Sequence, residues 1–415
     1  MALKIIHTAD WHLGQTFFGY DRVAEHDAFL RWLEETVEEQ KADVLLIAGD
    51  VFDVANPSAD SQRRFFRFLR NINKVREHLQ VIVIAGNHDS AARLEAPVPL
   101  LEELNTTVIG FVRRKEDRSI DYSSMAVPLY GKQGRPEAVC MAVPYLRQGD
   151  LPPMATDRSY IKGISLFYHE LYAFVKSEYG SDVPVIALGH LHLSGAELSD
   201  EDRSERVLIG GLESVSVTDL PEDILYYALG HIHKAQRVGR KETVRYAGSP
   251  LPMSFAEQHY RHQVVCLTVD DGNITRIEPL FVPLHTELLR IPAEASEPAL
   301  VLEALRRLPL RRKNMEQDNF PFLEVRVLLR EPEPGFRHQV ESVLQDKAVR
   351  LTSIVPVYEK CMDESAEKML SYADLQKLEP LTILQRTFSA RYGGKLPDEL
   401  KSLFMEVVAE VKNED

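Results

Sequence analysis

Cysteine is scarce in this chain: Cys140, Cys266 and Cys361 are odd in number, far apart and without CxxC spacing. That excludes a disulfide framework and leaves no zinc knuckle, so the thiols are expected reduced. Long apolar runs are missing as well, and none approaches the roughly 20 residues needed to span a bilayer. Met1-Ala2-Leu3-Lys4-Ile5-Ile6 runs straight into the first candidate motif, so no signal peptide is expected and the expected compartment is the cytoplasm. Positive charge is in deficit, with 49 Lys and Arg against 63 Asp and Glu and a formal net charge of −14. Such a balance excludes wholesale electrostatic attraction to nucleic acid, so any DNA contact must be local. Internal repeats and low-complexity tracts are also lacking. What remains is a 415-residue chain, 44% hydrophobic and 27% charged, as expected of a soluble globular protein with two or three domains.

Against this ordinary background, five strand-length apolar runs stand out: Leu3 to His7, Val44 to Ala48, Val81 to Ala85, Val185 to Leu188 and Tyr226 to Leu229. Each leads into residues of metal-binding type: Asp10-Trp11-His12, Gly49-Asp50, Gly86-Asn87-His88-Asp89, Gly189-His190 and Gly230-His231-Ile232-His233. An isolated Asp-x-His, or one histidine behind a strand, is more often surface polarity or packing than a ligand. Independent turns have little reason to repeat such residues at successive strand ends, so the five blocks together predict one cleft. Two carboxylates, four imidazoles and one amide gathered there can hold two divalent cations, the apparatus of metal-assisted phosphoester hydrolysis. A carboxylate can bridge two cations, and Asp50 is the candidate bridge. Asn87 would ligate through its carbonyl oxygen, and His88 suits a general acid or charge stabiliser over the phosphate. Asp89 is the candidate for orienting the His88 imidazole. Asp10 and His12 are expected to face one way from an extended or turning segment, and His231 and His233 to alternate on one face of an extended segment.

Residues 1–284 alternate strand-like runs with helical patterns such as Glu25 to Gln40 and Ser58 to Glu77, which predicts a layered α/β domain. Gly110 to Ala138 is polar and reads as a hairpin or surface loop. Residues 285–360 follow the order βαβαβ, with strands at Glu287 to Ile291, Phe322 to Leu329 and Val349 to Tyr358 and helices at Pro298 to Leu308 and Gly335 to Gln345. This predicts a compact α+β cap. From 361 to 415 two helices are expected, separated by Tyr392-Gly393-Gly394 and Pro397; Leu400, Leu403, Phe404, Val407, Val408 and Val411 form an apolar stripe on the second. That stripe either docks a partner or packs on its own chain.

The five blocks match the motif pattern of the calcineurin-like metallophosphoesterases. The fuller strings His7-Thr8-Ala9-Asp10-Trp11-His12-Leu13-Gly14-Gln15, Ala48-Gly49-Asp50-Val51-Phe52-Asp53 and Ala228-Leu229-Gly230-His231-Ile232-His233-Lys234-Ala235-Gln236 resemble one bacterial branch of that family. So does Arg245-Tyr246-Ala247-Gly248-Ser249-Pro250-Leu251-Pro252-Met253-Ser254-Phe255. Members of the branch are DNA nuclease subunits working with an SbcC-type ATPase in DNA end processing, repair, recombination and replication. The resemblance implies a metallophosphoesterase β-sandwich flanked by helices, followed by the α+β cap and the helical tail. It implies Asp10, His12, Asp50 and His233 around one cation and Asp50, Asn87, His190 and His231 around the other, with manganese preferred and His88 catalytic. Double-strand exonuclease and hairpin or single-strand endonuclease activity would follow, with homodimerisation through the nuclease domain and ATPase docking on the C-terminal helices. The competing expectation is a metallophosphoesterase for a small phosphodiester or nucleotide.

Several neighbours are open to two readings. His192 either touches substrate or ligand surroundings or simply packs, and Asp53 is a loop residue with a possible outer role. Trp11 is expected to pack beneath the site, and Phe17-Phe18-Gly19-Tyr20 either fills a loop core or stacks on a nucleotide. On the Ser58 to Glu77 helix, Arg63, Arg67, Arg70 and Lys74 share a face that is solvated, touches phosphate or serves the dimer contact. In the cap, Arg306, Arg307, Arg311, Arg312 and Lys313 form a basic cluster, the candidate DNA contact.

Overall fold

The computed structural model describes residues 2–131, 134–154, 159–197, 214–312, 320–358, 380–392, 396–397, 400–405 and 407. The chain divides into two compact units, Met1–His285 and Thr286–Asp415.

In the first unit, the chain forms β1 (Leu3–Thr8), the hairpin β2 (Thr16–Phe17) and β3 (Tyr20–Asp21), α1 (Val23–Gln40), β4 (Val44–Ala48), α2 (Ala59–Val75) and β5 (Gln80–Ile84). The short helices α3 (Ala91–Glu95) and α4 (Val98–Leu101) lead to β6 (Thr106–Ile109). Next come β7 (Ala126–Tyr130), β8 (Pro136–Val143), α5 (Tyr160–Tyr179), β9 (Val185–His190), β10 (Tyr226–Gly230), β11 (Gln236–Arg237) and β12 (Val244–Tyr246). Finally β13 (Gln263–Asp270) and β14 (Asn273–Phe281) close the unit. The strands make two six-stranded sheets, in the orders β14-β13-β1-β4-β5-β6 and β11-β12-β10-β9-β8-β7.

The inner faces of the two sheets share one apolar core. Leu3, Ile5, Val44, Leu46, Ile82 and Ile84 of the first sheet meet Val139, Met141, Ile186, Leu188 and Ala228 of the second. The alternate residues Ile6, Leu45, Ile47, Val81 and Val83 point to the opposite face and pack on Phe29 and Leu33 of α1 and Phe65, Phe68, Leu69 and Ile72 of α2. Both faces of these strands are therefore buried, which is why they read as unbroken apolar runs rather than as alternation. β1, β4, β5 and β6 run parallel, and so do β8, β9, β10 and β12. Parallel neighbours carry their carboxyl ends to the same edge, so every motif leaves its sheet on one side. Of the two readings of Gly110 to Ala138, the hairpin holds: the segment carries β7 and the start of β8, paired antiparallel at the edge of the second sheet, with Met125, Leu129 and Ala138 fully buried.

Sheet closure depends on a glycine. A Cβ at Gly230 would overlap the carbonyl oxygen of Ala48, so β10 approaches the end of β4 only because no side chain intervenes. α2 begins where expected, with the Ser58 hydroxyl accepting from the Ser61 N–H at 3.1 Å.

In the second unit β15 (Leu288–Ser296), α6 (Pro298–Arg306), β16 (Phe322–Leu329), α7 (Phe336–Leu344) and β17 (Arg350–Tyr358) follow one another. They form a parallel three-stranded sheet in the order β15-β16-β17. Val301 and Leu305 of α6 and Phe336, Val340 and Leu344 of α7 pack on Leu323, Val325 and Val327. A further helix spans Pro380–Tyr392, and residues 400–405 are helical. On that last segment Leu400, Leu403 and Val407 are exposed; Val408, Val411, Gly393, Gly394 and Cys361 lie outside the described residues. No helix among the described residues is long and apolar enough to cross a membrane.

Candidate metal centre

The motif residues leave their strands through backbone that L residues rarely adopt. Asp10 (φ 54°), His12 (φ 45°), Asp50 (φ 48°) and His231 (φ 102°) are left-handed without being glycine. Such positions cost about 1–3 kcal/mol each and persist where surrounding contacts over-determine them. Here the Asp10 N–H donates to Gly49 O at 3.1 Å, His12 N–H to Asp50 O at 3.0 Å and Leu13 N–H to Val51 O at 2.9 Å. The loops after β1 and β4 are thereby laced together. Asp10 and His12 thus sit on turning backbone, one of the two forms expected, whereas His231 and His233 sit on turning backbone instead of the extended segment expected, since β10 ends at Gly230.

Both carboxylates divide their oxygens between two tasks. Asp10 Oδ1 accepts the His231 N–H at 2.9 Å, and Asp50 Oδ1 accepts the His88 N–H at 2.9 Å, so one oxygen of each joins motif loops. The other oxygens, Asp10 Oδ2 and Asp50 Oδ2, are buried with no hydrogen bond, and so is His12 Nε2. Buried groups of this kind are normally satisfied; three such atoms from neighbouring motifs form a donor set of the kind that fits a divalent cation. Asp50 Oδ2 lies 3.3 Å from His190 Nε2 and 3.8 Å from His12 Nε2, between imidazoles from the two expected ligand sets.

On the second sheet, His190 Nδ1 is 2.8 Å from Ala48 O. Donation there fixes the ring and directs Nε2 toward Asp50 and toward Asn87 Oδ1, which is 2.9 Å away. His231 Nδ1 is 3.1 Å from the same Asn87 oxygen. Asn87, His190 and His231 therefore converge. On the other flank the His12 ring stands 5.1 Å from that of His233 and 4.9 Å from that of His88. Two compact groups of ligand type result, Asp10/Asp50/His190 and His12/Asp53/His88. The residues present fit divalent cations, with oxygen and imidazole donors mixed.

The charges respond to one another. Burial raises the Asp10 carboxyl to about 6. Burial also opposes ionisation of Asp50, but the imidazoles of His190, His12 and His88 outweigh it and hold that carboxyl well below its usual range. Burial would lower His190, yet the carboxylates of Asp50 and Asp10 raise it to about 10. A protonated imidazole thus supplies the positive charge that a cation supplies when bound.

His88 is half-buried, with Nδ1 2.8 Å from Asp53 O; donation to that carbonyl leaves Nε2 for a reacting oxygen. Asp89 does not orient this imidazole. Its buried carboxylate accepts from the N–H groups of Val51, Phe52 and Gly86 at 3.1, 3.0 and 2.9 Å, because the turn at Gly86 sends it inward, where it ties the β4 loop to the β5 loop. Burial, with the Asp50 charge adding, raises Asp89 to about 6. Asp53 approaches His12 Nδ1 at 3.3 Å, an outer contact. The His192 ring lies 6.2 Å from that of His231. Trp11 is fully buried, donates to Thr8 Oγ1 at 2.9 Å and meets Phe29, Phe65 and Phe68 edge to face. Phe17 is buried and Phe18 half exposed on the β2–β3 hairpin.

The basic candidates make different contacts. Arg306 and Arg307 end α6, with Arg307 paired to Glu303 at 2.5 Å; Arg311 stacks over Phe320 at 5.3 Å, and Arg312 is exposed. Lys313 lies outside the described residues. On α2, Arg64 and Arg67 bond Asp27 of α1 at 2.6 and 3.1 Å, and Arg63 pairs with Asp60. One residue escapes the motif pattern, the fully buried Glu257, which lies 3.3 Å from His233 Nδ1. It sits two positions beyond the Arg245 to Phe255 string, which was its one available signal.

Comparison with known proteins agrees with this architecture. Residues 3–235 match the calcineurin-like phosphoesterase family and residues 284–392 a type 5 capsule protein repressor C-terminal domain. The SbcD component of the nuclease SbcCD from Rhodobacter capsulatus is 37% identical, over 78% of this chain and 80% of its own length. Its counterpart in Escherichia coli K12 is 31% identical over 96% and 94% of the two chains, and that of Bacillus subtilis 28% identical over the whole of both. The chain belongs to the calcineurin-like phosphoesterases and, within them, to the SbcD family of SbcCD nuclease components.

Proposed function

We propose that this protein is a metal-dependent DNA nuclease subunit that acts with an SbcC-type ATPase. In this reading it degrades double-stranded ends and cuts hairpins or single strands in DNA repair, recombination and replication in the bacterial cytoplasm. The observation that carries it is the trio of buried, unbonded ligand atoms, Asp10 Oδ2, Asp50 Oδ2 and His12 Nε2, set among Asn87, His190, His231 and His233. Asp10, His12, Asp50 and His233 would hold one cation, and Asp50, Asn87, His190 and His231 the other; manganese suits this mixed donor set. Bound there, the cations supply Lewis acidity and activate water for attack on phosphorus. His88, with Nδ1 at Asp53 O, would protonate the leaving oxygen or stabilise charge on the phosphoryl group. Asp89 keeps the loop bearing Asn87 and His88 tied to the loop bearing Asp50.

Around this centre the proposal assigns residues 1–284 to the nuclease domain, which also forms the homodimer. Residues 285–360, with Arg306, Arg307, Arg311, Arg312 and Lys313, are assigned to DNA capping, and 361–415 to the ATPase partner. The net charge of −14 confines DNA contact to such local cationic patches.

The test is cleavage of linear and hairpin DNA by the purified chain, alone and with its ATPase, in manganese, magnesium or EDTA, beside His88→Ala. Manganese-dependent cutting that falls by roughly 10²–10⁴ in the variant is expected. Turnover of a chromogenic phosphodiester with intact DNA in every mixture would contradict the nuclease reading and favour a small phosphoester as substrate.

A further inference from the structure

We propose that Glu257 is a positioning residue for one of the two cations: it fixes the tautomer and rotation of His233 so that Nε2 is the nitrogen presented to the metal. The inference rests on the metal-centre reading above and assigns a role to a residue outside the motifs. Glu257 is fully buried at the end of the single helical turn Phe255–Glu257. Its two oxygens face different partners. Oε1 lies 3.3 Å from His233 Nδ1, while Oε2 accepts the Met253 N–H at 2.9 Å and stands 3.4 Å from Ser249 Oγ. The Ser249 hydroxyl itself donates to Leu251 O at 2.9 Å, and the Ser249 N–H donates to His233 O at 3.0 Å. The loop that carries Glu257 is thus tied to the backbone of the ligand it faces.

Oε2 already accepts the Met253 N–H, so Oε1 is the oxygen left to face His233 Nδ1. A carboxylate oxygen in that position serves as the acceptor for a ring N–H. The proton shared with His233 therefore resides on Nδ1, and Nε2 keeps the lone pair that a metal needs. Histidine ligands commonly carry such a carboxylate on the far ring nitrogen, and removing it costs about 10–100-fold in metal affinity. A carboxylate is also the one group of this size that accepts at both ends. In Glu257→Gln the amide has a single acceptor: keeping the Met253 N–H satisfied turns its NH2 toward His233 Nδ1, which favours the tautomer with a proton on Nε2. A ring protonated there cannot bind a cation.

The experiment is a manganese titration of the metal-free full chain by calorimetry, followed by electron paramagnetic resonance, for wild type, Glu257→Gln, His233→Ala and the double variant. The wild type is expected to take up two ions and give a spin-coupled signal. In Glu257→Gln one binding step should weaken about 10–100-fold while the other stays within about twofold, and the coupled signal should give way to that of an isolated ion. In the His233→Ala background the Gln substitution should cost nothing further, because its effect runs through that ring. Two unaltered steps, two steps weakened alike, an added loss in the His233→Ala background, or a Glu257→Gln chain that fails to fold would each overturn the proposal. A wild-type chain that takes up no manganese would instead overturn the metal-centre reading, and this inference with it.

Discussion

The two six-stranded sheets of the first unit contribute different chemistry to the same cleft. The first, through the loops after β1, β4 and β5, delivers every oxygen donor, Asp10, Asp50 and Asn87, together with His12 and His88. The second, through the end of β9 and the loop after β10, would deliver only imidazoles: His190, His231 and His233. Their backbones differ as well, since three of the four left-handed non-glycine ligands belong to the first sheet. Neither sheet holds a complete set of the proposed ligands, so the proposed centre would exist only when the sandwich is closed. Metal affinity and folding are consequently coupled: a cation that binds the closed sandwich and not the open chain stabilises it by mass action.

That division can be broken most severely at the contact between the sheets. Gly230→Ala forces a Cβ into the Ala48 carbonyl, and overpacking with backbone in the way is expected to cost about 3 kcal/mol. Denaturant unfolding with and without manganese measures this. Loss of both stability and metal uptake is the expected outcome, whereas a stable variant with full uptake would mean that the sheets need not approach so closely.

A second way to test the division is pH, because the carboxylates of one sheet hold a proton on an imidazole of the other. His190, raised from 6.5 to about 10 by Asp50 and Asp10, binds its proton more tightly in the folded chain. Its contribution to the stability of metal-free protein is full below about 6.5 and is lost as pH rises toward 10. Bound metal replaces that proton, so the manganese-loaded chain should not share this decline. His7, held near 3 by burial, has the opposite sign: its contribution is lost as pH falls from about 6.5 toward 3. Thermal unfolding of metal-free and loaded protein across pH checks both, and parallel curves would contradict the cross-sheet ion pair.

The smallest effect lies outside both sheets. Replacing Arg306 and Arg312 by Ala should lower DNA affinity and reduce the salt slope by about 1–2, leaving phosphodiester turnover without DNA unchanged. An unaltered slope would remove the second unit from the DNA-contacting surface.

Much of this comparison is legible in the residues themselves. Val44–Ala48 and Phe322–Leu329 are strands over the expected residues, and the other motif strands differ at their ends by one or two positions, because strands buried on both faces are continuous apolar runs. Sheet membership is not legible from the residues alone. Nothing local in Val81 to Ala85 or Val185 to Leu188 says which sheet each joins, since pairing is decided by partners far away in sequence. The turning backbone at His231 is likewise hidden, as the His231 N–H is held by Asp10 Oδ1 across the cleft. Asp89 falls beside a different group from the one expected because neighbouring residues in a tight turn point in different directions. Glu257 escapes because a lone glutamate in a short helical turn carries no periodic signal.

The most direct test of the central claim is a crystal grown or soaked with manganese, with anomalous scattering used to locate the ions. Two peaks are predicted, one among Asp10, His12, Asp50 and His233 and one among Asp50, Asn87, His190 and His231, with Asp50 touching both. A single peak, or one held by His12, Asp53 and His88, would contradict a centre built jointly by the two sheets.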